Sequence, residues 1–246
     1  MISRALILGP GGLRGAYGGG VVATLCRKLG RDYFNAVYGC SAGAYTGSYL
    51  ASGQPDEIEA IWRERVHESL LLNWRNICLS DKPVLDLFYL NSILESGLYK
   101  LSVIDVIRSH VKLVMVATNR QSGAAEYFSP KTHEEFFLQV RASAAAPYLH
   151  PSVLIKGKRY VDGRFSDPFP IIKALVDGHD EVVVVCNQTR PSVRRSIAGL
   201  VKVNKSRIKV IFPSAKSPLH WNFDSSKDRI NQLVDLGIAD ALTFLA

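Results

Sequence analysis

The chain has 246 residues, 47% of them hydrophobic and 21% charged, with 30 basic against 22 acidic side chains and a net charge of +8. That balance excludes a disordered or fibrous protein, and the length suits one domain spanning residues 1–246 with a sizeable core. No apolar run approaches the roughly 20 residues that a membrane-spanning helix needs.

The first residues, "MISRALILG", hold one Arg and a short apolar stretch followed by glycines, which is not a signal-peptide pattern. A cytoplasmic or equivalent compartment is therefore expected. Residues 3–9 read as a buried strand and 15–29 as a helix with small residues on one side. A second strand is expected over 33–40, then a helix over 41–53 stopped by Gly53. Residues 55–72 start with Pro, carry acids in the first turn and space their apolar positions by three and four, which predicts an amphipathic helix.

The stretch 74–100 is less distinct, with room for one short helix. "VKLVMVAT" (111–118) predicts a strand, "AAEYF" a short one after it, and 132–145 a helix ended by Pro147. Further strands are expected at 159–162, 181–187 and 207–212, before a closing helix over 226–245. Strands alternate with helices, and several strands are continuous Val/Ile/Leu runs. That pattern predicts an α/β fold with a mostly parallel central sheet and helices on both faces.

The four cysteines, Cys26, Cys40, Cys78 and Cys186, have neither metal-like nor disulfide-framework spacing, so free thiols and no metal site are expected. The basic residues gather only loosely, at 156–159, 190–195 and 202–209. A solvated positive surface or contact with an anionic membrane accounts for them. No nucleic-acid motif is present, and aromatics do not interleave with these clusters.

Three stretches carry candidate chemistry. "ILGPGGLRGAYGGG" (7–20) places seven glycines in fourteen positions directly after a strand. A dinucleotide fingerprint fails in register, because from Gly9 and Gly11 the third glycine falls on Arg14. No cofactor is expected. "YGCSAGA" contains G-x-S-x-G at Gly39, Ser41 and Gly43, between a predicted strand and a predicted helix. A sharp turn there lifts the serine above the sheet, and the helix N-terminus behind it favours negative charge. The glycine loop then acquires a purpose, since consecutive N–H groups free of side chains can receive an oxyanion. Arg14 reads as a tie between this loop and the body of the protein. In "YVDGRFSDPFP" (160–170), Asp162 sits at a strand end before Gly163. Cys40 reads as a small packing residue in the turn.

Together and in this order, these pieces resemble the patatin-like phospholipase family. "GPGGLRG" is similar to its glycine-rich loop, "GCSAG" to its nucleophile elbow, and residues 141–163 to the segment leading into its catalytic Asp-Gly. The likeness runs from about residue 3 to 190. It implies a patatin-like three-layer fold and a lipid acyl hydrolase with no cofactor. Ser41 would be the nucleophile, Asp162 its base, and Gly11, Gly12, Leu13 and Arg14 the oxyanion loop. A lipid or phospholipid ester is the implied substrate, reached by peripheral contact with an anionic membrane. Pro10, Arg164 and Asp167 depart from the family pattern. Two rival expectations stand beside this one: a homologue that binds lipid without turnover, and an α/β-hydrolase whose triad draws on His179 or His220.

Overall fold

The computed structural model describes residues 2–67, 69–79, 82–188, 191–203 and 207–246. Along the chain run β1 (Arg4–Leu8), α1 (Gly15–Leu29), β2 (Ala36–Cys40), α2 (Ala42–Ser52), α3 (Pro55–Glu64), α4 (Asn76–Leu79), α5 (Leu87–Glu95) and α6 (Val103–Arg108). They are followed by β3 (Lys112–Asn119), β4 (Ala125–Phe128), α7 (His133–Ala144), β5 (Val153–Ile155) and β6 (Lys158–Asp162). The last elements are α8 (Ile171–Val176), β7 (Glu181–Val185), α9 (Pro191–Val203), β8 (Ile208–Ile211) and α10 (Lys227–Leu245).

β1 lies between β2 and β7, parallel to both, with β3 beyond β2 and β8 beyond β7, also parallel. Strands this apolar require cover on both faces, and alternate residues find it. Leu6, Leu8, Val37, Leu113, Met115, Val183 and Val185 enter one core with side chains of α1, α2, α3, α5 and α10. Ala5, Ile7, Ala36, Tyr38, Val114, Val182 and Val184 enter a second core against α8 and α9. The result is the three-layer α/β arrangement, with the mostly parallel sheet that the strand pattern predicts.

The antiparallel strands bring the site together. β4 pairs with Met115–Thr118 of β3 and shares Met115 and Val116 with β2, so β2 and β4 hold opposite sides of β3. β6 shares Ala117 and Thr118 with β4 and so lies on the same side of β3 as β2. β2 and β6 therefore follow one another head-on along β3. Val116 pairs with Cys40 and the next residue, Ala117, with Asp162.

Several elements differ from expectation. The helix predicted over 55–72 ends at Glu64. The apolar spacing continues, but Leu72 forms an antiparallel bridge with Leu85, and Leu71 turns into the core. The indistinct stretch holds both α4 and α5, and the Asp86 side chain caps α5 by accepting the Phe88 and Tyr89 N–H groups. α6, β5 and α8 are too short for periodicity to mark. α9 occupies residues read as a basic cluster. Its Val193, Ile197 and Val201, spaced by four, pack on the second core while Arg194 and Arg195 are exposed. Arg190 of that cluster, and residues 204–206 of the next one, lie outside the described residues.

Candidate active site

β2 ends at Cys40 and α2 begins at Ala42, so the chain must reverse at the single residue between them. Ser41 does so at φ 57°, ψ −122°, a conformation that costs a non-glycine residue on the order of 1–3 kcal/mol. Neighbours hold it there. The Ser41 N–H donates to Ser143 Oγ at 3.0 Å, and the Ala44 N–H donates to the Ser41 carbonyl at 2.9 Å. A Cβ on Gly39 would stand 2.5 Å from Ala44 Cα, and one on Gly43 would stand 2.2 Å from the Leu8 carbonyl oxygen. Neither flanking position has room for a side chain.

β6 delivers Asp162 to the same point. Its N–H donates to the Ala145 carbonyl at 2.9 Å, and its own carbonyl accepts Thr118 Oγ1–H at 2.8 Å. With the backbone fixed on both sides, Oδ2 accepts the Ser41 hydroxyl at 2.8 Å and Oδ1 accepts the Arg164 N–H at 2.9 Å. The residue is only 2% exposed. Burial pushes its carboxyl up to about 6, against the opposing pull of the Arg164 N–H, the Ser41 hydroxyl and the Arg164 charge. A carboxylate in that range is more basic than usual yet still ionised at neutral pH.

The glycine loop follows β1 on the same side of the sheet. Gly12 takes φ 57°, and a Cβ there would meet the Asn222 carbonyl oxygen at 2.6 Å. The expected set of four oxyanion donors is narrowed by the backbone itself. The Leu13 N–H already donates to the Asn222 carbonyl at 2.8 Å, and the Arg14 N–H to the Gly11 carbonyl at 3.2 Å. Gly11 and Gly12 keep N–H groups that donate to no described protein group, and both line a cavity with Ser41. The Arg14 guanidinium donates to Asn222 Oδ1 at 2.7 Å and to the Leu219 carbonyl at 3.3 Å, tying the loop to residues 219–223.

That cavity is open to solvent at its mouth. Ser41, Asp162, Gly11 and Gly12 are among its polar groups, and Tyr45, Tyr49, Ile58, Trp62, Leu90 and Leu94 are among its apolar walls. A mostly apolar cleft with a few convergent polar groups is the usual form of a small-molecule site. The arrangement can take a proton from a serine hydroxyl, receive an oxyanion on two N–H groups, and bury a long apolar chain.

Among the described residues no histidine hydrogen-bonds Ser41 or Asp162. His179 Nδ1 pairs with Ser3 Oγ at 2.9 Å, where Ser3 and His179 precede β1 and β7 at the other end of the sheet. His150 Nδ1–H donates to the Leu85 carbonyl at 2.8 Å, and His220 is exposed. The Arg164 side chain is exposed, 5.2 Å from the centre of the Phe165 ring, and makes no ion pair with Asp162. It acts on that carboxylate through charge alone. Asp167 accepts the Tyr127 hydroxyl at 2.7 Å. Cys40 is buried with its thiol 4.0 Å from Asp162, and burial holds it protonated. Cys26 and Cys186 are likewise buried and free, while the Cys78 side chain lies outside the described residues.

Three supporting residues carried no signal of their own. Ser143 lies inside the small-residue run "RASAAAP" but resembles any other small residue there. Thr118 reads as an ordinary strand residue. Asn222 meets the glycine loop from the other end of the chain, which no local pattern can announce. Among the described residues no helix is long and apolar enough to cross a membrane.

A family model described as patatin-like phospholipase matches residues 6–175. No curated protein matches the chain. Among solved structures it is similar to VipD from Legionella pneumophila, with a TM-score of 0.51 and 16% identity over 95% of this chain and 66% of that one. It is also similar to human GIVD cytosolic phospholipase A2, solved with methyl gamma-linolenyl fluorophosphonate, with a TM-score of 0.53 and 11% identity over 98% and 57%. At these identities the likeness is one of fold, and the chain spans less than two thirds of either structure.

Proposed function

We propose, because the chain belongs to the patatin-like phospholipase family, that it hydrolyses carboxylic esters of lipids through Ser41 and Asp162, working as a single domain over residues 1–246. One observation carries this function: the Ser41 hydroxyl donates to a buried carboxylate 2.8 Å away, at the polar end of an apolar cavity.

In this reaction Asp162 Oδ2 takes the Ser41 proton as Oγ bonds to the ester carbonyl carbon. The carbonyl oxygen becomes an oxyanion and accepts the Gly11 and Gly12 N–H groups, while the N-terminus of α2 adds its positive end. Collapse of the tetrahedral intermediate breaks the bond to the alcohol oxygen, which leaves with the proton from Asp162. Water then attacks the acyl-serine in the reverse sense, releasing a fatty acid and restoring Ser41. A carboxylate base near 6 suits an alcohol leaving group far better than an amine, so esters are the expected substrates. The apolar walls favour a long acyl chain.

A fluorophosphonate bearing a long alkyl chain tests this chemistry. It should modify Ser41, identified by mass spectrometry of the digested protein, and should fail to modify the Asp162→Asn variant at a comparable rate. Incubation with a mixed lipid extract should release free fatty acids. Labelling elsewhere with Ser41 untouched would overturn the assignment.

A further inference from the structure

We propose that an apolar rim built on Trp74 and Trp221 is the surface on which the protein docks to an anionic lipid membrane. This rests on the lipid-ester function above and extends it to how substrate is reached.

The two indole rings come from distant parts of the chain and meet with centroids 5.1 Å apart, yet they remain 40% and 45% exposed. Leu70 and Ile77, on the same segment as Trp74, are 64% and 62% exposed. Single exposed apolar residues are ordinary on any protein, but two tryptophans in contact and left this exposed mark a binding surface. Tryptophan suits the boundary of a bilayer because its body is apolar and its N–H stays hydrated.

The rim is continuous with the candidate active site. Trp221 packs on Phe223 with centroids 6.0 Å apart, and Phe223 lines the cavity. The Phe223 ring in turn stands where a Cβ on Gly12 would come within 3.2 Å. A row of rings thus leads from the outer surface to the glycine loop, and the Leu13–Asn222 hydrogen bond clamps the two together. Lipid drawn from a bilayer at this rim arrives beside Ser41.

Charge favours a lipid surface over a second protein. Arg75 adjoins Trp74 and Lys216 lies on the loop leading to Trp221; both are exposed, and neither forms an ion pair among the described residues. Asp224, a nearby acid, is held by Arg229 through two contacts of 2.9 Å, so its charge is compensated. The net charge of +8 complements anionic headgroups.

The test measures co-sedimentation with vesicles of phosphatidylcholine alone and of phosphatidylcholine mixed with phosphatidylserine, in a Ser41→Ala background so that lipid is not consumed. Binding should favour the serine-containing vesicles and shift tryptophan emission to shorter wavelength. The double variant Trp74→Ala, Trp221→Ala should lose about tenfold or more in partitioning. On the active background it should keep its turnover of a soluble, monodisperse ester, which also certifies the fold. Unchanged partitioning of the double variant would overturn the proposal. So would a wild-type dimer that the double variant dissolves while its vesicle binding persists, because the rim would then face a second copy of the chain. A wild-type chain that docks as described but cleaves no ester would refute the proposed reaction and leave the docking surface intact.

Discussion

Ser41 and Asp162 are 121 residues apart in sequence, and their side chains meet at 2.8 Å because Cys40 and Asp162 pair with consecutive residues of β3. Sheet register, rather than loop placement, sets their distance. Sites built on regular elements hold their geometry better than sites on loops, which is what the proposed proton transfer requires.

Ser41→Ala and Asp162→Asn should each lower kcat/KM on a soluble ester by about a thousandfold or more, with circular dichroism unchanged. His150→Ala, His179→Ala and His220→Ala should each keep most of the activity, since none of these rings touches the pair. A loss at His179 or His220 equal to that at Ser41 would replace the pair with a triad.

The Asp162 carboxyl, at about 6 in the fold against an ordinary 3.8, fixes two pH dependences of opposite sense. In the proposed reaction Asp162 works ionised, so the rate should fall as pH drops below about 6. The folded chain holds this proton more tightly than the unfolded chain, so stability should decrease as pH rises from 3.8 to about 6 and stay lower above it. Asp162→Asn removes that cost. It should raise stability at pH 7 by on the order of 2–3 kcal/mol, read from denaturant melts, while abolishing activity.

Much of this arrangement is legible in the residues. The Leu/Ile run at Arg4–Leu8, the helix over Gly15–Leu29 and the elbow glycines each combine a local composition with a local constraint. So does Asp162-Gly163 at the end of a strand. What escapes is set by distance. The Leu13 and Arg14 N–H groups read as free donors until Asn222 and the turn itself take them. Leu71 reads as the last turn of a helix until the bridge from Leu72 to Leu85 diverts the chain. Periodicity records which side of a segment is apolar. It is silent on what that side packs against.

Gly12→Ala should damage both stability and rate, because the new Cβ lies 2.6 Å from the Asn222 carbonyl oxygen as well as at φ 57°. Gly157→Ala is the control. It shares a left-handed conformation, at φ 80°, but has nothing within 4 Å of a new Cβ. The control should cost about 1 kcal/mol of stability and leave kcat unchanged. Equal loss of rate in both would remove the loop from catalysis.

Arg164→Ala should move the acidic limb of the pH–rate profile upward, because the guanidinium charge favours the ionised form of Asp162. Its exposure keeps the effect small and sensitive to salt, so the difference from wild type should shrink as ionic strength rises. Arg164→Lys should retain part of it. A limb that stays in place would leave the side chain as surface.

The segment matched by the family model stops at residue 175, yet β1 takes its second neighbour from β7 at Glu181–Val185. α1 is locked just as closely to the end of the chain. A Cβ on Gly20 would strike the Val234 carbonyl oxygen at 2.2 Å, and one on Gly237 the Tyr17 carbonyl oxygen at 2.1 Å. A fragment covering residues 6–175 would therefore hold Ser41, Asp162 and the glycine loop but expose a bare row of backbone donors and acceptors along its central strand. Such a row recruits strands from other molecules, so the fragment should be recovered as insoluble aggregate. A piece that keeps both of these contacts reaches through α10.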